Sequence, residues 1–456
     1  MQGIRVGTGD PGGTGDPGCE RGPSCDRGSG IGGSEPVDVR ARLETVWRME
    51  YARIVAVLAR LLGGDVGRAE EIAQDTMVVA LEQWSRDGIP RDPAPWLMAT
   101  AKHRAVDAVR RRTTYDRKLR EVAETERRRG TSAGANEPDP DEFDQPITDD
   151  LLRLVFTATH PVLPPTSRTA LTLKVLAGLR IDEIARAFLI SESTAAQRIV
   201  RAKRILAEQQ IRLELPPPDQ RRGRLAAVLE VIYLIFNEGY AATAGENWTR
   251  PDLCAEAVRL GRLLAGLMPG EPEVHGLLAL MELQSSRLAA RIGPVGEAAL
   301  LPDQDRTRWD RLLIRLGLAA LDRVESLGGG LLPYTLQARI AACHARARHA
   351  EDTDWGRIAA LYTVLGHVAP SPVVELNRAV AVGMVDGPAA ALALLDRLAG
   401  ERAIAGNPQL PAARGEQLAR LGRAGEAADA FAAAARLSRN AREREVFSRR
   451  ARTPPV

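Results

Sequence analysis

The sequence predicts an all-α protein made of two small helical modules, a flexible tether between them, and a long helical-repeat region. Apolar residues recur at spacings of three and four through most of the chain from Val39 to Arg450, as on one face of a helix. Phe, Trp and Tyr together make up only 4% of the residues, whereas Ala and Leu are abundant, which favours helices. A chain of 456 residues is also too long for one compact core.

Bulk composition excludes few functions. The net charge of +3 is too mild to indicate a nucleic-acid-binding protein by itself. No CxxC pair occurs among the four scattered cysteines, Cys19, Cys25, Cys254 and Cys343. We therefore expect reduced thiols, no metal site and no cofactor. The longest apolar run, 225–236, is too short to cross a bilayer, so we expect no membrane segment and a cytoplasmic location.

Changes in composition divide the chain into five segments. Residues 1–36 are rich in Gly, Pro, Asp and Ser, and we expect them to be disordered. The first helical module covers 37–112, a polar tether covers 113–147, the second module covers 148–215, and the helical repeats cover 221–450. Each boundary lies where helical apolar spacing gives way to Gly, Pro or charged residues.

Three helices are expected in the first module. Gly63, Gly64 and Asp65 interrupt the apolar pattern between the first two. The third helix begins near Pro95, because proline suits the first turn of a helix, and ends at Arg112.

The second module contains a predicted helix-turn-helix between 170 and 206. A first helix is followed by a short turn at 189–191, and a second helix buries Ala195, Ile199, Ala202 and Leu206. The opposite face of this second helix is polar and basic, and we expect it to bind DNA through Ser193, Thr194, Gln197, Arg198, Arg201 and Arg204. Glutamine and arginine can read adenine and guanine, and the later arginines should meet phosphates. The alternative is an ordinary solvated basic helix.

Two further helix faces carry charge. An acidic face on the helix 68–84 presents Glu70, Glu71, Gln74 and Asp75, and it is either a docking surface for a basic partner or hydrated surface. A cationic face on the third helix is expected to contact phosphates through Lys102, His103, Arg104, Arg110, Arg111 and Arg112. Trp84 and Trp96 either stack on unpaired bases or belong to the core.

The C-terminal region contains weak self-similarity. In the segment 421–440, Gly422, Ala427, Phe431 and Ala434 occupy the small, small, large and small positions of a tetratricopeptide-type repeat. Ala391 and Leu395 take similar places about one repeat length upstream. The alternative is an Ala-rich helical bundle without true repeats.

These segments together resemble extracytoplasmic-function RNA polymerase sigma factors of the sigma-70 family, which are bacterial transcription initiation factors. The stretch AEEIAQDT (69–76) is similar to the family's polymerase-binding helix, which implies that Glu70, Glu71, Gln74 and Asp75 contact core RNA polymerase. The stretch WLMATAKHRAVDAVRRR (96–112) resembles the helix that meets the minus-ten promoter element. By the same resemblance, the loop 85–93 captures a flipped base and the helix 191–206 reads the minus-thirty-five element.

The resemblance extends to a subgroup with a C-terminal tetratricopeptide-like extension, on segments such as IYLIFNEGY (232–240) and LLPDQDRTRWD (300–310). For this extension we expect regulation through a protein partner or an intramolecular clasp. The chain departs from the family at Arg180, where a helix-capping Ser or Thr is usual, so that helix end should rely on Asp182 and Glu183. His103 replaces the commoner Asn. Related chains often carry cysteines where this one has Ala158 and Thr159, so no metal is expected there.

Other classes of protein explain less of the sequence. A one-component helix-turn-helix regulator with a C-terminal sensor domain needs no polymerase-binding helix, and a repeat scaffold needs neither module. An enzyme is disfavoured because Cys343 and His344, as neighbours on a helix, project about 100 degrees apart. The carboxylates Asp303, Asp305 and Asp310 lack EF-hand spacing and are expected to pair with Arg306 and Arg308 instead.

Overall fold

The computed structural model describes residues 39–126, 147–188, 190–241, 248–293 and 297–453. The predicted disordered segment 1–36 lies outside these residues, as does most of the predicted tether. The described part contains eighteen α-helices and no strand longer than an isolated bridge. The predicted all-α fold is therefore confirmed.

The N-terminal module consists of α1 (Val39–Leu61), α2 (Val66–Asp87) and α3 (Pro93–Glu126). The predicted break between α1 and α2 is present: Gly63 and Gly64 adopt φ values of 68° and 93°, which glycine tolerates best. Asp65 caps α2, since its carboxylate accepts a hydrogen bond of 2.9 Å from the Arg68 N–H. Trp84 is buried and packs edge-on against Trp96, with ring centroids 5.6 Å apart, so this pair holds α2 to α3.

The predicted end of the third helix is wrong. Helix α3 does not stop at Arg112 but continues to Glu126, into the segment expected to be a tether. The residues after Arg112 include KLREVAETE, which are mostly good helix formers with no Gly or Pro to end the helix. Residues 127–146 lie outside the described part of the chain.

The second module consists of α4 (Ile147–Ala158), α5 (Pro165–Val175), α6 (Ile181–Phe188) and α7 (Glu192–Glu208). Ala195, Ile199, Ala202 and Leu206 are buried, as the helical spacing predicts. The start of α6 is stabilised as expected without a Ser or Thr cap, because the Glu183 carboxylate accepts a 2.8 Å hydrogen bond from the Arg180 N–H. Helices α6 and α7 therefore form the helix-turn-helix.

The described residues of the C-terminal half form eleven α-helices that pack largely in chain order. Six of them begin with proline in the first turn, where the missing N–H has no intrahelical partner to lose. Their bounds are α8 (Pro218–Tyr240), α9 (Pro251–Leu267), α10 (Pro272–Ser285), α11 (Arg311–Ser326), α12 (Pro333–Arg346), α13 (Trp355–Val368), α14 (Pro372–Val385), α15 (Pro388–Leu398), α16 (Gln409–Arg420), α17 (Ala424–Leu437) and α18 (Ala441–Arg452).

Three of the four predicted small and large positions of the last repeat are buried where α16 meets α17, and the fourth, Gly422, is exposed in the turn between these helices. Ala427, Phe431 and Ala434 are each at most 1% exposed. A Cβ added to Gly415 of α16 would lie 3.1 Å from the Phe431 ring, so the absent side chain permits this close approach. The burial fits a paired-helix repeat, and the type of repeat stays a prediction.

One apolar core joins the two modules to the start of the C-terminal half. It runs from Leu43 of α1 through Leu171 of α5 and Ile199 of α7 to Met281 of α10. Smaller apolar clusters stabilise the helices that follow. The described residues from Val39 onward accordingly form one compact unit, in which the second module contacts α1 through α4 and α5 and contacts α8 through α4, α5 and α6.

Candidate nucleic-acid interface

The outer face of α7 carries most of the residues predicted to bind DNA. Ser193, Gln197, Arg201 and Arg204 are exposed, whereas Thr194 and Arg198 are half-buried. Arg204 makes one salt bridge along the helix, to Glu208 at 3.5 Å. This face therefore presents an amide and guanidinium groups to solvent, the donor types that contact bases and phosphates.

The N-terminus of α7 is fixed by a hydroxyl cluster. Ser191 caps the helix by accepting a 3.2 Å hydrogen bond from the Thr194 N–H. Its hydroxyl lies 2.9 Å from the Ser193 hydroxyl and 2.8 Å from the Thr194 hydroxyl. These two predicted DNA-binding side chains thus also organise the start of the helix, which sets its direction against the groove.

The basic face of α3 is accessible along one side. His103, Arg110 and Arg111 are exposed and Lys102 is half-buried. Arg104 is tied to α2 by a 3.0 Å salt bridge to Asp75. The side chain of Arg112 lies outside the described residues.

The acidic face of α2 is divided in two. Glu71, Gln74 and Asp75 are exposed, as the helical spacing predicts. Glu70, in contrast, is only 4% exposed. Three of the four residues predicted to bind polymerase are therefore exposed to solvent, and the fourth is enclosed.

Glu70 is enclosed because the helix-turn-helix module covers it. One carboxylate oxygen lies 3.2 Å from Lys174 Nζ of α5, and the other binds Lys203 Nζ of α7. Gln74 Nε2 donates a further hydrogen bond of 3.1 Å to Glu70. The nearby Tyr51 phenol has its pKa raised by burial and then by the Glu70 charge. We call the three residues Glu70, Lys174 and Lys203 the Glu70 latch.

A second ion pair and a close backbone approach support this latch. Arg60 Nε of α1 donates a 2.8 Å hydrogen bond to Asp150 of α4, whose carboxylate is fully buried. Gly178, after α5, adopts a φ of 69°, and a Cβ there would lie 3.1 Å from the Tyr51 ring. The two modules are therefore joined by charged and steric contacts as well as by the shared core.

Three arginines of the C-terminal half bind helix C-termini of the helix-turn-helix module. Arg224 Nη2 donates to Phe156 O of α4, and Arg259 Nη2 donates to Leu176 O at the end of α5, each at 2.8 Å. Arg250 Nη1 donates to Ala187 O of α6. Free carbonyls at a helix C-terminus carry partial negative charge, so these guanidiniums neutralise three helix ends at once. We call Arg224, Arg250 and Arg259 the arginine clamp.

Sequence reasoning missed both the Glu70 latch and the arginine clamp. One pattern pointed to the latch: the chain has only four lysines against a large number of arginines, and two of those four bind Glu70. Lys174 also interrupts an apolar run, ALTLKVL, where a charge requires a partner. No comparable feature marked the clamp, since arginines are abundant throughout.

The structure decides between the roles considered above for Trp84 and for the carboxylates of the loop 303–310. Trp84 is a core residue and offers no face to an unpaired base in this conformation. The loop carboxylates cap helices: Asp305 accepts from the Thr307 N–H and Asp310 accepts from the Leu312 N–H. Of the expected pairings with Arg306 and Arg308, only a charge interaction of Arg308 with Asp305 is seen, and it helps the Thr307 hydrogen bonds to lower the pKa of Asp305. Asp303 instead lies 3.8 Å from Arg450.

Cys343 and His344 are both buried side by side on α12. The His344 ring packs edge-on against Trp355 with centroids 5.3 Å apart, so it is directed at the core rather than at a substrate. Within the described ranges, no group of three His, Cys, Asp or Glu side chains is placed to hold a metal ion. No helix in those ranges is long and apolar enough to span a bilayer.

Known domains match the same two modules. The family model described as Sigma-70 region 2 matches residues 47–114, and that of Sigma-70, region 4 matches residues 153–206. A probable ECF RNA polymerase sigma factor, SigI of Mycobacterium tuberculosis, is 25% identical over 201 residues, which cover 42% of this chain and 67% of SigI. Both sigma-70 regions are therefore matched in this chain, region 2 before region 4. These sigma-70 domains indicate a transcription initiation factor and imply binding to core RNA polymerase and promoter DNA.

Similarity extends beyond the sigma-70 domains. An uncharacterized protein of Rhizobium meliloti (strain 1021), R00370, is 45% identical over 376 residues, which cover 82% of this chain and 87% of that protein. Residues 224–325, which include most of α8, all of α9 and α10 and most of α11, match a family of unknown function, DUF6596. No solved structure matches the chain.

Proposed function

We propose that this sigma-70 protein is an extracytoplasmic-function sigma factor whose C-terminal helical half controls its activity. The predicted division of labour assigns polymerase binding to Glu70, Glu71, Gln74 and Asp75 of α2. Promoter binding falls to α3, through Lys102, His103, Arg110 and Arg111, and to α7. The observation that carries the proposal is the match of both sigma-70 regions to modules whose exposed faces, on α3 and α7, are basic.

Polymerase binding through Glu70 requires the protein to change conformation. The carboxylate is committed to Lys174 and Lys203, so α5 and α7 must move away from α2 before it can meet a partner. Breaking a buried ion pair costs about 3–5 kcal/mol when a charge is left unpaired, but less when a new partner replaces the old one. The conformation in which Glu70 binds both lysines, which we call the closed form, is therefore a resting form. Core polymerase can convert it to an open form in which Glu70 is exposed.

The C-terminal half favours this resting form. Its arginine clamp binds the ends of α4, α5 and α6, and its helices α8 and α9 bury apolar surface of the same module, including Val155 and Leu176. A partner or ligand that shifts the clamp would change how easily the Glu70 latch opens. In this way the C-terminal half is an intramolecular regulator, with the tetratricopeptide-like repeats as its structural basis.

Run-off transcription with purified core polymerase tests the proposal. We expect new start sites on genomic fragments only when the protein is present, and their loss in an Arg198→Ala, Arg201→Ala double variant. An Arg186→Ala variant, on the exposed side of α6, serves as the control and should keep its start sites. Binding to DNA without any redirection of core polymerase would contradict the proposal and favour a one-component regulator.

A further inference from the structure

A second charged cluster lies in the C-terminal half, away from the sigma-70 modules. It surrounds Arg287 and Arg291, which lie in a short turn after α10 and are 9% and 8% exposed. Arginine is almost never buried to this extent without a partner. A negatively charged group is therefore expected to balance the charge of these two arginines.

Aromatic rings enclose both guanidiniums. Arg291 Cζ lies 4.1 Å from the centroid of the Tyr240 ring and 5.3 Å from that of Trp248. Arg287 Cζ lies 5.8 Å from the Tyr240 centroid and 5.7 Å from that of Trp309. Cation–π contacts of this kind offset part of the cost of burying a cation, but they supply no counter-charge.

Among the described residues, no salt bridge joins an Asp or Glu to either guanidinium. One hydrogen bond is satisfied, since Arg287 Nη2 donates to the Tyr240 hydroxyl. Four buried N–H groups around the cluster have no acceptor among the described residues: Arg287 Nε, Arg291 Nε, Trp248 Nε1 and Trp309 Nε1. Unsatisfied buried donors are rare in folded proteins and call for an acceptor.

The surrounding titratable groups respond to this positive charge. Burial alone would raise the pKa of Tyr240, but Arg287 and Arg291 hold it below its usual value. The pKa of His344 is lowered to about 3, by burial and then by the charges of Arg287 and Arg306. Arg306 adds a third guanidinium near the Trp309 ring, at 4.7 Å, and is fixed by donating to His344 O and Ala347 O. The region is thus donor-rich and electropositive.

We propose that Arg287 and Arg291, with the indole N–H groups of Trp248 and Trp309, form a binding site for a doubly charged oxyanion, a phosphate group. Each guanidinium is a planar fork that matches the oxygen geometry of a phosphate. Two buried positive charges would balance a dianion, and four buried N–H groups of these residues have no acceptor among the described residues.

The site adjoins the arginine clamp. Trp248 is two residues before Arg250 of the clamp, which binds the end of α6. A bound phosphate group would therefore be sensed by the helix-turn-helix module. This consequence rests on the proposed function, whereas binding itself does not.

The test is the melting temperature of the full chain in sodium phosphate against sodium chloride at matched ionic strength. We expect phosphate to raise the melting temperature in proportion to the logarithm of its concentration, and the rise to vanish in an Arg291→Met variant. An Arg291→Lys variant keeps the charge but loses the fork, so it covers the case in which Arg291→Met does not fold. Arg311→Met, on the exposed start of α11, is the control and should keep the rise.

Two further measurements extend this test. The first distinguishes inorganic phosphate from a phosphorylated small molecule, and the second distinguishes a bound phosphate from an ionised Tyr240 as the counter-ion. Glycerol phosphate in place of inorganic phosphate indicates a phosphorylated small molecule if it gives the larger rise. Phosphate binding should also raise the pKa of Tyr240, which the absorbance of phenolate near 295 nm measures. Equal melting temperatures in phosphate and chloride would overturn the proposal. In that case, phenolate absorbance at neutral pH that disappears in Tyr240→Phe would show that Tyr240 itself is the counter-ion.

Discussion

Glu70 of α2 lies 3.2 Å from Lys174 of α5, and its second oxygen binds Lys203 of α7. A residue predicted to dock on core polymerase is therefore also one of the contacts that join the two sigma-70 regions. The carboxylate cannot serve both partners at once. This exclusion links the state of the helix-turn-helix module to the availability of the α2 face.

Removing both lysines should favour polymerase binding. In a Lys174→Met, Lys203→Met variant, Glu70 would stay buried without a counter-charge, which destabilises the closed form by several kcal/mol. The open form should become more populated, so we expect core polymerase to bind at least about tenfold more tightly. Fluorescence anisotropy of the labelled chain titrated with core polymerase measures this change.

The control for that variant is Arg212→Met, which removes one positive charge from an exposed position just after α7. Its affinity for core polymerase should equal that of the unmodified chain. A double lysine variant that binds polymerase no better than the control, although folded, would argue against the Glu70 latch.

The arginine clamp should protect the helix-turn-helix module from local opening. Arg259→Ala leaves Leu176 O at the end of α5 without its 2.8 Å charge-assisted hydrogen bond, a loss of about 1.5–3 kcal/mol. We expect faster amide hydrogen exchange in α5 and α6, with α12 to α18 unchanged. Arg222→Ala, at an exposed position on α8, should leave exchange in α5 and α6 as it is. Uniform acceleration over the whole chain would indicate general destabilisation instead.

The exposed residues of α7 should fall into two groups, those that contact DNA phosphates and those that contact bases. Removal of Arg201 and Arg204 together should weaken promoter binding at every sequence and reduce the slope of log affinity against log salt by about 2. Gln197→Ala should leave that slope unchanged and relax the preference at one base pair. Binding titrations at several salt concentrations measure both effects. Equal slopes for all variants would place the phosphate contacts elsewhere.

Acid should destabilise the C-terminal half through His344. Its pKa is lowered to about 3 in the folded protein by burial and by Arg287 and Arg306, against about 6.5 when unfolded. Above pH 6.5 the ring is neutral in both states, so stability is fully present there. Below pH 6.5 only the unfolded state gains the proton, and the free energy of unfolding should fall by about 2 kcal/mol between pH 6.5 and pH 5.

A His344→Gln variant should lose that part of the pH dependence. The substitution also removes the ring contact with Trp355, so its stability is expected to be lower at every pH. The informative quantity is the difference between urea unfolding at pH 7 and at pH 5. An identical difference in the variant and the unmodified chain would assign the acid sensitivity to other groups.

The features that were predictable from the sequence are local. The buried positions Ala195, Ile199, Ala202 and Leu206 follow from helical spacing, and the cap at Asp65 follows from residue type. Glu71, Gln74 and Asp75 are exposed for the same reason. The end of α3 was missed because its polar residues read as a tether, although helix formers without Gly or Pro can continue a helix.

The features that were not predictable depend on contacts between distant residues. Lys203 reaches Glu70 across 133 positions and Arg259 reaches Leu176 across 83. Helical spacing places Glu70 on a polar face of α2. Glu70 is buried only because α5 and α7 pack against that part of the face. The same holds for Arg287 and Arg291, whose burial arises from aromatic rings contributed by α8 and two separate loops.

The most direct test of the account is the distance between α1 and the end of α7 with and without core polymerase. Dyes on Arg48→Cys and Gln209→Cys, both at exposed positions, report this distance by energy transfer, after Cys19 and Cys25 are replaced by serine. Cys254 and Cys343 are buried and should not react. We predict high transfer in the free protein and a marked fall when core polymerase binds. Core polymerase that binds without any change in transfer would contradict the claim that the Glu70 latch must open.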